Sequence, residues 1–181
     1  MTRYKFMAAA AGLALTASIV SAGSASANTG PTEVRNADGL FCLDATNDAT
    51  HSAANNGDPV QVWECQGTSN QQWTFNENVG SYGTITNGTR GLCLDAVNDA
   101  THSAANNGDP VQLWSCNGGA QQQWKATYWS NAFGYNFYEL TNLYSGLVLD
   151  ARNDATWNPE KDGDPVQLWS WQNYGNQGWS L

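Results

Sequence analysis

Three aspartates, Asp44, Asp95 and Asp150, each sit in the string Leu-Asp-Ala, and seventeen positions on comes a glutamine, Gln61, Gln112 or Gln167. Two residues further stands a tryptophan, Trp63, Trp114 or Trp169. More amides close each set: Asn70 and Gln71, Gln121 and Gln122, Asn176 and Gln177. An ionised carboxylate accepts two hydroxyl hydrogens, and charge-assisted bonds are the stronger kind. Amides supply both donor and acceptor for what remains. An indole covers an apolar face at little entropic cost. Together these groups suit a ligand with vicinal hydroxyls on its edge and C–H groups on its face, as a sugar has.

Short strands would place the groups side by side, because strand side chains alternate between faces. In Cys42-Leu43-Asp44-Ala45, Cys42 and Asp44 share one face and Leu43 and Ala45 the other. In the segment from Val60 to Cys65, Gln61, Trp63 and Cys65 share a face, opposed by Val60 and Val62. Leu43, Val60 and Val62 then supply a core, and the opposite face gathers the polar set. The four cysteines, Cys42, Cys65, Cys93 and Cys116, allow three pairings. In the third copy both cysteine positions change together, to Val148 and Trp171. Joint loss is expected of two residues that bond each other, which favours Cys42–Cys65 and Cys93–Cys116. Each bridge would contribute about 3 kcal/mol on the chain-entropy account. No zinc-knuckle spacing is present.

The whole stretch from Cys42 to Trp73 recurs from Cys93 to Trp124, and more loosely from Val148 to Trp179. Three copies of one unit predict one fold built three times and one site offered three times. Asn-Gly, Gly-Asp-Pro and Ser/Asn-rich turns separate β-type segments, with no long stretch at helical period. Each repeat offers about four strands, around Val34, Ile85 and Leu140, then Leu43, Leu94 and Leu149. Val62, Leu113 and Leu168 mark the third, and Trp73, Trp124 and Trp179 the fourth. The repeats span approximately 32–78, 82–128 and 137–181, with an aromatic-rich spacer from Tyr128 to Tyr138 ahead of the third.

Residues 1–27 read as a secretory signal: Arg3 and Lys5, an apolar run from Met7 to Val20, and Ala25-Ser26-Ala27 for cleavage. Cleavage after Ala22 is the second choice. The expected domain is 28–181, secreted and extracellular, with no second run able to span a bilayer. Without Arg3 and Lys5, 5 basic residues face 16 acidic ones. Phosphate binding needs a basic face, so nucleic acid is excluded as a partner, and an anionic membrane surface with it. Of nine tryptophans, six fall at matched repeat positions and so belong to the design of the unit.

The triple signature Gln71-Gln72-Trp73, Gln122-Gln123-Trp124 and Gln177-Gly178-Trp179, with Cys-Leu-Asp and Val-Gln-(Val/Leu)-Trp, closely resembles the ricin B-type β-trefoil lectins. It also resembles the xylan-binding modules of that family attached to bacterial glycoside hydrolases. The resemblance implies an all-β fold, a twelve-strand β-trefoil of three pseudo-symmetric repeats, and carbohydrate as the partner, with no cofactor and no metal. It implies that the pocket carboxylate is Asp44, Asp95 or Asp150, the strand amide Gln61, Gln112 or Gln167, and the stacking ring Trp63, Trp114 or Trp169. The closing amides fall on Asn70 and Gln71, Gln122, and Asn176 and Gln177. Gln121 replaces Asn beside Gln122, and the second pocket is therefore expected to bind more weakly. The loop between carboxylate and strand amide is about four residues longer than the family pattern, and could roof the pocket.

Trp73, Trp124 and Trp179 read as core, since a repeated terminal Trp is what a symmetric interior needs. His51 and His102, with Trp157 at the third position, read as solvated loop residues. Asp48, Asn56 and Asp58 do not follow an EF-hand loop, and Gly57-Asp58-Pro59 reads as a turn. Asn87-Gly88-Thr89 has the form of a glycosylation sequon. An enzyme is disfavoured: glycosidase chemistry needs one acid–base pair, whereas every carboxylate here is tripled, and no catalytic Ser or Cys signature occurs. An inhibitor-like protein-binding trefoil should vary its loops between repeats, which this chain does not. The pattern also suits a partner of a separately encoded hydrolase or toxin chain.

Overall fold

The computed structural model describes residues 30–154 and 161–181. The segment 1–27 and Trp157 lie outside the described residues. Among the described residues, thirteen strands follow the repeat pattern. The first repeat holds β1 (Thr32–Glu33), β2 (Cys42–Ala45), β3 (Val60–Trp63) and β4 (Gln72–Phe75). The second holds β5 (Tyr82–Gly83), β6 (Ile85–Asn87), β7 (Cys93–Ala96), β8 (Val111–Trp114) and β9 (Trp124–Ala132). The third holds β10 (Tyr135–Asn142), β11 (Val148–Ala151), β12 (Asp164–Trp169) and β13 (Trp179–Ser180). One strand more than the twelve expected arises because β5 and β6 are separate pieces. Before the last strand of each repeat the chain makes a single 3-10 turn, at Ser69–Gln71, Ala120–Gln122 and Gly175–Gln177.

All named pairings are antiparallel, in a five-stranded sheet of order β1-β4-β6-β7-β8 and an eight-stranded sheet containing the rest. The repeats join through equivalent contacts: Pro165 pairs with Gln61, Pro59 with Gln112 and Pro110 with Gln167. A proline that opens a strand lacks only a donor, so it can end one repeat's segment against the next. Asn36 pairs with Trp179, linking the first repeat back to the third. This closed, threefold arrangement is a β-trefoil.

The core is likewise threefold. Leu43, Leu94 and Leu149 are fully buried, as are Val62, Leu113 and Leu168. Trp73, Trp124 and Trp179 complete it, and each indole N–H donates to the backbone oxygen of Leu43, Leu94 or Leu149 at 2.8, 2.9 and 2.9 Å. A buried indole needs that partner. Asn87 is also buried and donates to the Asn70 backbone oxygen at 2.9 Å. That closes the sequon to glycosylation. Its counterparts Asn36 and Asn142 tie the third and second repeats to their successors in the same way, through the Asn176 and Gln121 oxygens.

Disulfides join Cys42 to Cys65 and Cys93 to Cys116, each across 23 positions. Glu33 lies beside the Cys42 and Cys65 sulfurs, the one potential metal cluster among the described residues, but the disulfide leaves it no thiolate.

Candidate functional site

Register brings the carboxylate and the strand amide together. Asp44 lies opposite Gln61, Asp95 opposite Gln112 and Asp150 opposite Gln167. Each glutamine Nε2 donates to its aspartate Oδ1, at 3.0, 2.9 and 2.9 Å. The second oxygen is held by the closing amide in two repeats. Asn70 Nδ2 donates to Asp44 Oδ2 at 2.8 Å and to the Ala45 oxygen at 3.1 Å. Asn176 Nδ2 donates to Asp150 Oδ2 and to the Ala151 oxygen, both at 2.9 Å. In the second repeat Gln121 lines the cleft, but Asp95 draws its nearby amide bonds from Gln112 and Gln122. The longer side chain does not reproduce the bond that Asn makes.

All three aspartates are buried, and burial is the leading cause of the rise in each carboxyl pKa. The amide bonds pull the other way. For Asp150 the outcome is about 6, and for Asp44 the charge of Asp162 adds to the rise. A buried carboxylate with its oxygens aimed by amides is a preorganised acceptor.

Each aspartate lies in a cleft with its tryptophan. Asp44, Gln61, Trp63 and Asn70 line a cleft of about 270 Å³, and Asp95, Gln112, Trp114 and Gln121 one of about 290 Å³. Asp150, Gln167, Trp169 and Asn176 line the roomiest of these three, about 470 Å³. Trp114 is 38% exposed, and Trp63 and Trp169 are partly exposed. Their rings are open to a ligand, unlike those of the core tryptophans.

The glutamines of the Gln-x-Trp signature are held deep in the turn before the last strand of each repeat. Gln71, Gln122 and Gln177 are buried to 0%, 0% and 1% exposure. Their Oε1 atoms accept from the Gln66, Asn117 and Gln172 amides, and their Nε2 atoms donate to the Glu64, Ser115 and Ser170 oxygens. Both ends of each side chain are committed to bracing the turn after the third strand. Each also bears on its aspartate: Gln71 and Gln122 are among the amides that draw down the Asp44 and Asp95 carboxyls, and Gln177 reaches Asp150 Oδ2 at 3.0 Å. The spacing alone cannot separate a ligand amide from a bracing one, because both sit one residue apart on the same turn.

The near half of each long loop borders its own cleft, through Asn47 and Asp48, Asn98 and Asp99, and Asn153 and Asp154. Asp48 Oδ1 accepts from the Thr50 amide, the Thr50 hydroxyl and the His51 amide at 2.7, 2.8 and 2.9 Å. Asp99 repeats this with Thr101 and His102. These bonds, the Thr amide first, lower both carboxyls to about 2. Asp48, Asp99 and Asp154 line the three clefts, a second carboxylate at each lip that the sequence reading missed. Its recurrence in Asn-Asp after each Leu-Asp-Ala string is the signal that could have found it.

The far half of each loop crosses to the next repeat. Asn56 Oδ1 accepts from the Ser115 amide at 2.7 Å, Asn107 Oδ1 from Ser170 at 2.8 Å, and Asp162 Oδ1 from Glu64 at 2.6 Å. The glycines that follow have φ of 92°, 93° and 88° for Gly57, Gly108 and Gly163. A Cβ on Gly108 would lie 3.9 Å from the Trp169 ring, and one on Gly163 3.8 Å from that of Trp63. The glycine of the preceding repeat thus lies beside the Trp169 and Trp63 rings, whereas Gly57 makes no such approach. The first repeat holds the second, the second the third, and the third the first.

The sequence model of the ricin-type β-trefoil lectin domain-like family matches residues 24–105 and 69–169. The chain belongs to that family. It is 34% identical over 118 residues to a ribosome-inactivating protein from Polygonatum multiflorum, of which it spans only 16%. Among solved structures it is similar to ThreeFoil, a designed threefold-symmetric protein (27% identity, TM-score 0.68, 84% of this chain and 97% of that one). It is also similar to an exo-β-1,3-galactanase from Clostridium thermocellum (26% identity, TM-score 0.64), covering 84% of this chain and 30% of that one. Within the lectin-like domain, the features that recur threefold are the clefts, their aspartates and their tryptophans.

Proposed function

We propose that this lectin-like protein is a secreted, non-catalytic carbohydrate-binding protein with three pockets centred on Asp44, Asp95 and Asp150. The observation that carries the reading is the buried aspartate with its oxygens aimed by neighbouring amides, beside an open indole, in three copies. The carboxylate and the amides bind hydroxyls, and Trp63, Trp114 and Trp169 stack on the sugar face. The first and third pockets hold the complete set, and the second, with Gln121, binds more weakly. Export is supported by the signal-like residues 1–27 and by two disulfides, which persist in oxidising compartments. Polysaccharide or glycan is the partner, and no cofactor is required.

One observation favours a second reading, glycoside hydrolysis: each of the first two clefts pairs a carboxyl raised by burial with one lowered to about 2. Split values are what an acid–base pair needs. Against it, the low-pKa oxygen is occupied in capping its own loop, and the pair recurs instead of marking one centre.

Both readings meet in one experiment. The protein is incubated with a panel of insoluble polysaccharides and depletion is measured while soluble products are assayed in the same tubes. Depletion without products is expected, and it should vanish in Asp44→Ala/Asp95→Ala/Asp150→Ala while circular dichroism stays that of the parent. Retention by the folded triple variant would place the sites elsewhere. Released sugars would favour the hydrolase.

A further inference from the structure

The third repeat breaks symmetry in several places, and the departures converge on one loop. Where the first two repeats have Cys65 and Cys116, the third has Trp171. Where they have Gln72 and Gln123, it has Gly178. The ring of Trp129, from the long strand β9, stands edge-on to Trp171 at 5.7 Å between centroids. A Cβ at Gly178 would collide with that ring, so the glycine makes room for it. Trp129 Nε1 also donates to Asn173 Oδ1 at 2.6 Å, and Asn173 has φ of 64°, a left-handed conformation that a non-glycine residue adopts at a cost. An indole pair and a hydrogen bond thus brace this loop in place of a disulfide.

The next residue is Tyr174. It is 64% exposed and lines the same cleft as Asp150 and Trp169. The corresponding positions of the first and second repeats are Thr68 and Gly119, which carry no ring. The cleft differs in size as well, about 470 Å³ against about 270 and 290 Å³. Small-molecule sites run from roughly 300 Å³ upward. The third cleft is inside that range and the other two fall just below it. An exposed ring held on a braced loop loses little freedom on binding, which is what makes tyrosine an effective contact residue.

We propose that the third pocket is an extended site in which Tyr174 is a second aromatic platform, stacking on the sugar next to the one held by Asp150 and Trp169. The first and second pockets take a single sugar. The proposal rests on the carbohydrate-binding reading above and specifies its ligand: an internal stretch of a polymer of neutral sugars for the third pocket. The long β9–β10 hairpin, the loss of the third disulfide and Gly178 then have one common purpose.

The test uses Asp44→Ala/Asp95→Ala, which leaves the third pocket alone, titrated calorimetrically with galacto-, xylo- and gluco-oligosaccharides of one to four units. In the series that binds, affinity should rise from the monosaccharide to the longer sugars. Adding Tyr174→Ala should remove that rise, weakening the trisaccharide by about three- to tenfold, the range of one aromatic contact, with the monosaccharide unchanged. Tyr174→Phe should keep the rise, because the ring and not the hydroxyl makes the platform. Equal weakening of monosaccharide and trisaccharide, or no weakening of either, would overturn the platform and leave the lectin reading standing. A wild-type protein that bound nothing in the panel would overturn both.

Discussion

Burial raises the Asp150 carboxyl to about 6, although Gln167, Asn176 and Gln177 all donate to its oxygens. Binding and folding therefore respond to pH in opposite directions. A sugar hydroxyl needs the ionised acceptor, so affinity should fall as pH drops through about 6. In Asp44→Ala/Asp95→Ala, titration at pH 5 should give affinity about tenfold below that at pH 8, one unit below the pKa. For folding, the native value exceeds the ordinary 3.8. The folded state therefore holds the extra proton between those values, and stability present below 3.8 is lost as pH rises through about 6. Asp48 and Asp99 act in the reverse sense: lowered to about 2, they contribute stability above 3.8 that is lost as pH falls through about 2. The melting temperature should thus rise from pH 7 to about pH 4.5 while binding weakens, and a melting curve that tracked binding would contradict this. At this scale the sequence was informative about Asp44, Gln61 and Trp63, because strand alternation places them on one face. It named Gln71 as a closing amide but not its full burial, which depends on the depth of the turn that carries it.

The long loops show what an element can hide from its own sequence. Their Gly-Asp-Pro segments look like local turns, and Asp58 does cap its own loop, accepting from Ala54 and Asn55 at 3.0 Å. Asn56, Asn107 and Asp162, however, bond a different repeat, and that becomes visible only once the barrel closes. The prediction is a displacement of effect around the ring. Asn107→Ala, a change in the second repeat, should weaken the third pocket by about three- to tenfold, the value of one or so net hydrogen bonds. It should leave the second pocket alone. Titrations in Asp44→Ala/Asp95→Ala and in Asp44→Ala/Asp150→Ala isolate the two. Loss in the second pocket and none in the third would show that each loop serves its own repeat. The disulfides were easier to read, since Val148 and Trp171 replace both partners at once and pairing within a repeat is the simplest cause. The edge-on Trp129–Trp171 pair that stands near the missing bridge was not legible, because it depends on a hairpin outside the repeat.

For the whole molecule, threefold repetition was written plainly in the chain, and so were the β-trefoil and its core of leucines and tryptophans. What threefold repetition does to binding follows from geometry. Pseudo-symmetry points the pockets away from one another, so a short soluble sugar meets one pocket at a time. A pocket of this size offers few contacts and must order its ligand, which sets single-site affinity at about millimolar to tens of micromolar. A polymer matrix or glycosylated surface can engage more than one pocket, and linked sites gain about 10²–10⁴ in apparent affinity where the geometry allows. Wild-type protein should therefore bind an insoluble polysaccharide far more tightly than it binds the oligosaccharide cut from it. Asp95→Ala alone should cost least, Asp44→Ala more and Asp150→Ala most, the last because it removes the roomiest of the three aspartate clefts. Each double variant should fall to the affinity of a single pocket. The check is a set of depletion isotherms beside solution titrations of the same proteins. If single variants lost all retention on the polymer, one pocket would be carrying the function, and the threefold design would serve the fold alone.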